Sequence, residues 1–197
     1  MRSKLIIILS FLITTVGAFS QTLHNSPYSR YGLGQLNSSA SAYQLGQGGL
    51  SYTTNAFNQV NFSNPASYQS IRKHSPIFNI ALNGDFSELK SSDTSQFYRN
   101  GTIANFTLGL PTGKRSGFVL SYQPFSNLGY NVVDSLTVDG EDYVNTYKGE
   151  GGLNKLIAGF GYLVFKSDSS NLKISLGVNG VYVYGSNFHQ RNSAFDV

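Results

Sequence analysis

The feature that most constrains this chain is an alternation of apolar and polar side chains, with a period of two, that begins after Pro76. A period of two places successive side chains on opposite faces of an extended strand, whereas a helix needs a period of about 3.6 residues. The pattern occurs in five stretches, so the sequence predicts an all-β protein with about five long strands. The apolar positions are Phe78, Ile80, Leu82 and Phe86; Ala104, Phe106, Leu108 and Leu110; Phe118, Leu120 and Tyr122; Leu156, Ala158, Phe160, Tyr162 and Val164; and Leu172, Ile174, Leu176, Val178, Tyr182 and Tyr184.

The connections between these stretches alternate between short and long. Residues 111–116 and 166–171 are short and rich in turn-forming residues, while residues 88–100 and 127–152 are long and acidic. Tight turns at one end of a sheet and long loops at the other are typical of antiparallel outer-membrane β-barrels. We therefore predict an antiparallel transmembrane β-barrel with two long surface loops.

A soluble secreted β-sandwich is the competing fold, because it also alternates apolar and polar residues. The predicted strands are about ten residues long, enough to cross a bilayer, whereas sandwich strands have about five or six residues. Charged residues make up 12% of the chain, against about 25% in an ordinary globular domain. Both observations favour the barrel. Since the smallest natural barrels need about eight strands, residues 76–197 are expected to form an incomplete barrel, as the N-terminal part of a longer one or a truncated product.

Two segments precede the first predicted strand. Residues 1–20 combine a basic start, an apolar run over residues 5–13 and small residues at the end, which is the order of a secretory signal peptide. Export of this kind predicts the outer membrane of a Gram-negative bacterium. Residues 21–75, the N-terminal segment, are rich in Ser, Asn, Gly, Tyr and Gln without a sustained period. We interpret this segment as a loop-rich plug, with a flexible linker as the alternative.

The sequence offers little for catalysis. Cysteine is absent, and none of the three histidines has a neighbouring ligand at metal-binding spacing. The formal net charge is +4, and Arg2 and Lys4 would be removed with the signal peptide. The remaining chain would be close to neutral, which does not favour nucleic-acid binding. We expect no enzyme activity, no metal, no cofactor and no nucleic-acid partner.

The polar positions of the alternating stretches form a second candidate site. They are neutral hydrogen-bonding residues that would share one face of the sheet and could line the lumen of a barrel. The alternative is a structural role, as pairs between strands that fill the interior. The residues are Asn79, Asn83, Asn105, Thr107, Ser121, Gln123 and Asn179.

One short motif carries a resemblance to a known family. Asn64-Pro65-Ala66, between the N-terminal segment and the first strand, resembles the Asn-Pro-Ala segment of FadL-like outer-membrane transport proteins, including their relatives in Bacteroidetes. The order of signal peptide, plug-like segment, motif and first long strand is also similar. The resemblance implies a fourteen-stranded barrel with the N-terminal segment folded into the lumen, of which this chain would cover the first third to half.

Two functional hypotheses follow from the sequence and the resemblance. The first is a barrel in the lipid of the outer membrane that passively admits small hydrophobic molecules, with the N-terminal segment as its gate. The second is a non-transporting barrel that serves as a scaffold or partner in protein secretion or surface assembly, together with secretion-system proteins. Both hypotheses use the same strands, so the alternation alone does not separate them.

Overall fold

One antiparallel sheet dominates the computed structural model, which describes residues 26–90, 95–138, 141–167 and 172–195. The predicted signal peptide at residues 1–20 lies outside these ranges. A short strand β1 (Gln35–Leu36) precedes five long ones, so the prediction of an all-β fold with five long antiparallel strands is confirmed. The long strands are β2 (Ile77–Lys90), β3 (Ser95–Pro111), β4 (Ser116–Val138), β5 (Glu141–Lys166) and β6 (Lys173–Phe195).

The long strands form an up-and-down meander, in which each pairs with the next along the chain in the order β2-β3-β4-β5-β6. Strand β1 lies off this path and pairs with β4. Antiparallel neighbours need only short turns between them, and the predicted turn after Pro111 is confirmed, since it spans four residues, 112–115. The second predicted short connection lies partly outside the described residues.

The two long loops predicted at residues 88–100 and 127–152 are wrong, because most of these residues belong to strands. Strands β4 and β5 stay paired from Ser116 opposite Tyr162 to Val138 opposite Glu141. Backbone N–H and C=O groups form the ladder whatever the side chains are, so polar and acidic residues can continue a strand wherever a partner strand runs alongside. Acidic composition therefore indicated exposure to water and not the end of pairing.

The sheet has two different faces. On β4, Gly117, Val119, Ser121 and Gln123 are buried, while the residues between them are more exposed. We name the first side the covered face. The opposite side, the open face, carries large apolar side chains that are exposed in this chain, among them Phe78, Leu120, Phe160, Leu176 and Val178.

The N-terminal segment lies across the covered face and supplies most of the core. It contains two 3-10 helices (Pro27–Arg30 and Pro65–Ser70) and a short α-helix, α1 (Ala42–Gly46). In the described residues the segment is packed against the sheet, and its role as a plug stays a prediction. Within the described ranges, no helix combines the length and apolar character needed to cross a bilayer. The core joins Val60, Phe62, Tyr68 and Ile71 of the segment to Val119 and Ile157 of the sheet.

Hydrogen exchange tests the extension of the strands. We expect the backbone amides of residues 128–133 and 146–150 to exchange as slowly as those of residues 156–162, since all of them lie in the β4 and β5 ladders. Mass spectrometry or NMR of the full chain in detergent measures this. Rapid exchange confined to residues 127–152 would mean that the region is a loop after all.

Candidate functional site

A row of three glycines crosses the covered face where the second 3-10 helix, which we name the docking helix (Pro65–Ser70), lies against it. Gly117 of β4 pairs with Gly161 of β5, and Gly161 pairs with Gly177 of β6. A Cβ atom on Gly161 would lie 2.5 Å from the backbone oxygen of Pro65, and one on Gly117 or Gly177 would collide equally with the helix backbone. Only glycine lets the two backbones approach this closely.

The Asn-Pro-Ala motif begins the docking helix. Pro65 occupies the first turn, where a missing N–H costs no hydrogen bond and the fixed φ angle favours helix formation. The side chain of Asn64 makes no bond to the helix end, and its Nδ2 instead donates to the backbone oxygen of Tyr52 at 3.1 Å. The motif therefore sets both the start of the helix and its link to the preceding loop.

Tyr68 fastens the docking helix to β6. Its side chain is 1% exposed, and its hydroxyl donates to Oδ1 of Asn179 at 3.0 Å. Nδ2 of Asn179 donates in turn to the backbone oxygen of Phe62 at 2.9 Å. Burial raises the pKa of the Tyr68 phenol to about 12, and the bond to Asn179 opposes that rise. Asn179, one of the residues predicted from sequence, thus connects the sheet to the N-terminal segment.

Four of the predicted polar residues form one buried network across β3 and β4. The hydroxyls of Thr107 and Ser121 lie 2.8 Å apart, Gln123 donates to Ser121 at 3.3 Å, and Thr107 donates to Asn105 at 3.3 Å. The Thr107–Ser121 bond joins β3 to β4, as is expected of a pair between strands that fills an interior. Their role in lining a lumen stays a prediction.

The remaining two predicted residues lie on β2 beside small cavities under the N-terminal segment. Asn79 lines a space of about 20 Å³ together with Asn105 and Thr107. Asn83 lines a larger space of about 90 Å³, and its Nδ2 donates to Asp85 at 3.2 Å. The structure therefore places these two outside the Thr107–Ser121 network.

The sequence did not predict that the N-terminal segment also pairs with an edge of β4. Strand β3 pairs with β4 only as far as Phe106 opposite Tyr122. Beyond that point the segment takes its place: Leu36 pairs with Ser126, and the backbone N–H of Ser26 donates to the backbone oxygen of Gly129 at 3.0 Å. The interruption had a readable signal, because a proline, Pro124, lies inside the strand where the register shifts.

Two further side chains attach the segment to β4 and β5. Ser29 is fully buried, and its hydroxyl donates to the backbone oxygen of Gly129 at 3.1 Å and accepts from the N–H of the same residue at 3.2 Å. Lys155, 7% exposed, donates to the hydroxyl of Ser39, and its Nζ lies 5.7 Å from the centre of the Phe125 ring. The Ser29–Gly129 and Lys155–Ser39 contacts join residues 100 and 116 positions apart, which neither local pattern nor spacing indicates.

The contacts that hold the N-terminal segment on the covered face are mainly hydrogen bonds and apolar packing. In the part of the chain that the structure describes, no group of three or more His, Cys, Asp or Glu residues could bind a metal ion. His74 lies in a turn at a φ of 60°, and His189 contacts Tyr130. The arrangement is that of a docking site for the chain's own N-terminal segment.

The BamG family model matches residues 1–196 of the chain. No curated protein and no solved structure matches it. The match covers both the N-terminal segment and the sheet on which it is docked, so one family model includes both.

Gly161→Val tests whether the glycine row seats the docking helix. The chain contains no cysteine, so Ser67→Cys introduces a unique thiol at a position that is 8% exposed. We expect this thiol to react slowly with a maleimide in the parent chain and at least about tenfold faster when Gly161→Val displaces the helix. Gly101→Val is the matched control, because a Cβ there would meet no atom within 4 Å. Equal labelling rates in both valine variants would contradict the role of the row.

Titration of Tyr68 tests its burial. Because the pKa of the folded chain is above the ordinary value of 10.0, the contribution of Tyr68 to docking is complete below pH 10 and is lost as the pH rises towards about 12. The difference in phenolate absorbance between the parent chain and Tyr68→Phe should show a transition near pH 12. A transition near pH 10 would indicate a phenol in contact with water.

Proposed function

Since the chain belongs to the BamG family, we propose that it is a non-transporting outer-membrane β-barrel protein that acts as a partner or scaffold in outer-membrane protein assembly. The name BamG points to the assembly of outer-membrane β-barrels, and this supports the second of the two functional hypotheses. The covered face favours a lasting structural partner over a conduit.

The observation that carries the proposal is that the N-terminal segment fills the covered face. Three spaces between the segment and the sheet measure about 90, 200 and 20 Å³. A fourth, of about 350 Å³, lies at the end of the sheet, where residues 73–74 meet residues 111–114. Pockets that bind small organic molecules usually measure about 300 Å³ or more. A segment fixed by a glycine row, a buried tyrosine and a β-ladder favours a permanent interior part over a gate that opens for a ligand.

The open face supports insertion into the membrane. Leu176 and Val178 are each 66% exposed, and Phe78 is 63% exposed. Exposure of so much apolar side-chain surface on one sheet face is unfavourable in water. Lipid chains or the apolar surface of another membrane protein would cover these side chains. Either environment is available to an outer-membrane assembly partner exported by the predicted signal peptide.

Passive uptake of small hydrophobic molecules stays a prediction, as does the resemblance to FadL-like proteins. The spaces next to Asn83 and Asn79 are the places where a ligand could first enter. Their size in this structure gives uptake less support than assembly.

Co-purification from the native outer membrane tests the proposal. The full chain, tagged and extracted in a mild detergent, should carry β-barrel assembly proteins with it, as identified by mass spectrometry. Depletion of the protein should impair the assembly of other outer-membrane barrels. The amount of those barrels that stays folded on a denaturing gel when the sample is not boiled should therefore fall. Entry of a hydrophobic fluorescent probe should be unchanged.

A second outer-membrane barrel of similar abundance, with the same tag, is the control for non-specific association. Two results together would contradict the proposal and favour transport. In the first, no assembly protein is enriched over the control; in the second, depletion reduces probe entry while other barrels fold normally.

A further inference from the structure

We propose that Arg30 and Arg191 form a binding site for a phosphate group on the covered face, in the half nearer to the β4–β5 connection at residues 139–140. The site is separate from the docking helix and does not depend on the proposed function. It rests on the position of two guanidinium groups around one aromatic ring.

Both guanidinium groups lie against Tyr147. The Cζ atom of Arg30 is 4.5 Å from the centre of that ring, and the Cζ atom of Arg191 is 5.5 Å from it. An aromatic face attracts a cation through its quadrupole and orients the flat guanidinium group. Arginine stacked in this way keeps its N–H donors free for an oxyanion at the edge of the ring.

The backbone around each arginine is fixed. Arg30 directly follows Ser29, which is fully buried and bonded in both directions to the backbone of Gly129. Arg191 lies directly opposite Tyr147 in the β5–β6 register, and its Nη2 donates to Oδ1 of Asn145 at 3.4 Å. A site assembled before a ligand arrives loses less entropy on binding.

The charges of the two arginines are not balanced within the described side chains. Arg30 and Arg191 are both exposed, and two cations near one ring repel each other. The ion pair between Lys90 and Glu88 lies on β2, which carries neither arginine. Asp134, whose backbone pairs with Asn145, forms no ion pair with either arginine. An external anion would remove the repulsion.

His189 offers a third donor, because it lies on β6 two residues from Arg191. Nδ1 of His189 is 2.8 Å from the hydroxyl of Tyr130, and both residues flank Gly149 in the register. When Nδ1 accepts the tyrosine proton, Nε2 is the N–H donor of the imidazole. Two guanidiniums and one imidazole match a doubly charged phosphate better than a single carboxylate.

Calorimetric titration of the full chain in neutral detergent tests the site, with inorganic pyrophosphate as the probe at low ionic strength. We expect saturable binding that weakens about tenfold or more in Arg30→Gln and in Arg191→Gln, because each loses a charged hydrogen-bond donor. Asp134→Asn should strengthen binding, since it removes a competing negative charge.

Arg115→Gln is the matched control, because it removes the same charge from the turn at the opposite end of the sheet. Binding should be unchanged in this variant. Labelling of Ser67→Cys in each background establishes that the segment is still docked, so that lost binding is not lost folding. No saturable binding to the parent chain, or equal weakening in Arg115→Gln, would overturn the proposal.

Two arms distinguish the source of the phosphate. The full chain is reconstituted into vesicles of neutral lipid with or without a lipid that carries a phosphomonoester headgroup. If the headgroup is the ligand, that lipid should compete with pyrophosphate, and the competition should be lost in Arg191→Gln. If pyrophosphate binds equally in both vesicles, the ligand is a free phosphate compound.

Discussion

The close approach of two backbones, that of the docking helix and that of the sheet, is the constraint on which the rest of the structure depends. Gly117, Gly161 and Gly177 make it possible, since side chains there would overlap the helix. Once the helix lies on this row, Tyr68 can reach Asn179 and the apolar residues of the segment meet Val119 and Ile157. The glycine row therefore permits the close packing of the buried core, and the burial of its apolar side chains also favours docking.

The N-terminal segment also satisfies backbone groups that the meander leaves open. Strand β3 stops pairing with β4 near Tyr122, and β1 and the residues before it bond to β4 beyond that point. Unpaired N–H and C=O groups are costly where water is excluded. The segment is thus part of the hydrogen-bonded framework as well as a cover for one face, which agrees with a lasting structural role in assembly.

The sequence predicted the strands well because alternation is a local property, written in consecutive residues from Phe78 onwards. It predicted the ends of β4 and β5 poorly, since pairing depends on a neighbouring strand and not on side-chain polarity. Of the predicted polar residues, Asn105, Thr107, Ser121 and Gln123 meet in one buried network, yet the partner of Asn179 could not be foreseen. Gly117, Gly161 and Gly177 are far apart along the chain and become a single surface only when β4, β5 and β6 lie side by side.

The bond between Ser29 and Gly129 joins residues that are 100 positions apart, and this separation bears on the order of folding. The edge of β4 does not exist until more than half of the chain has been synthesised, so residues 26–36 have to wait for their partner. Contacts between distant residues form slowly because a long loop must close first. Residues near the start of the N-terminal segment would therefore be among the last to fold, although they are synthesised before β4.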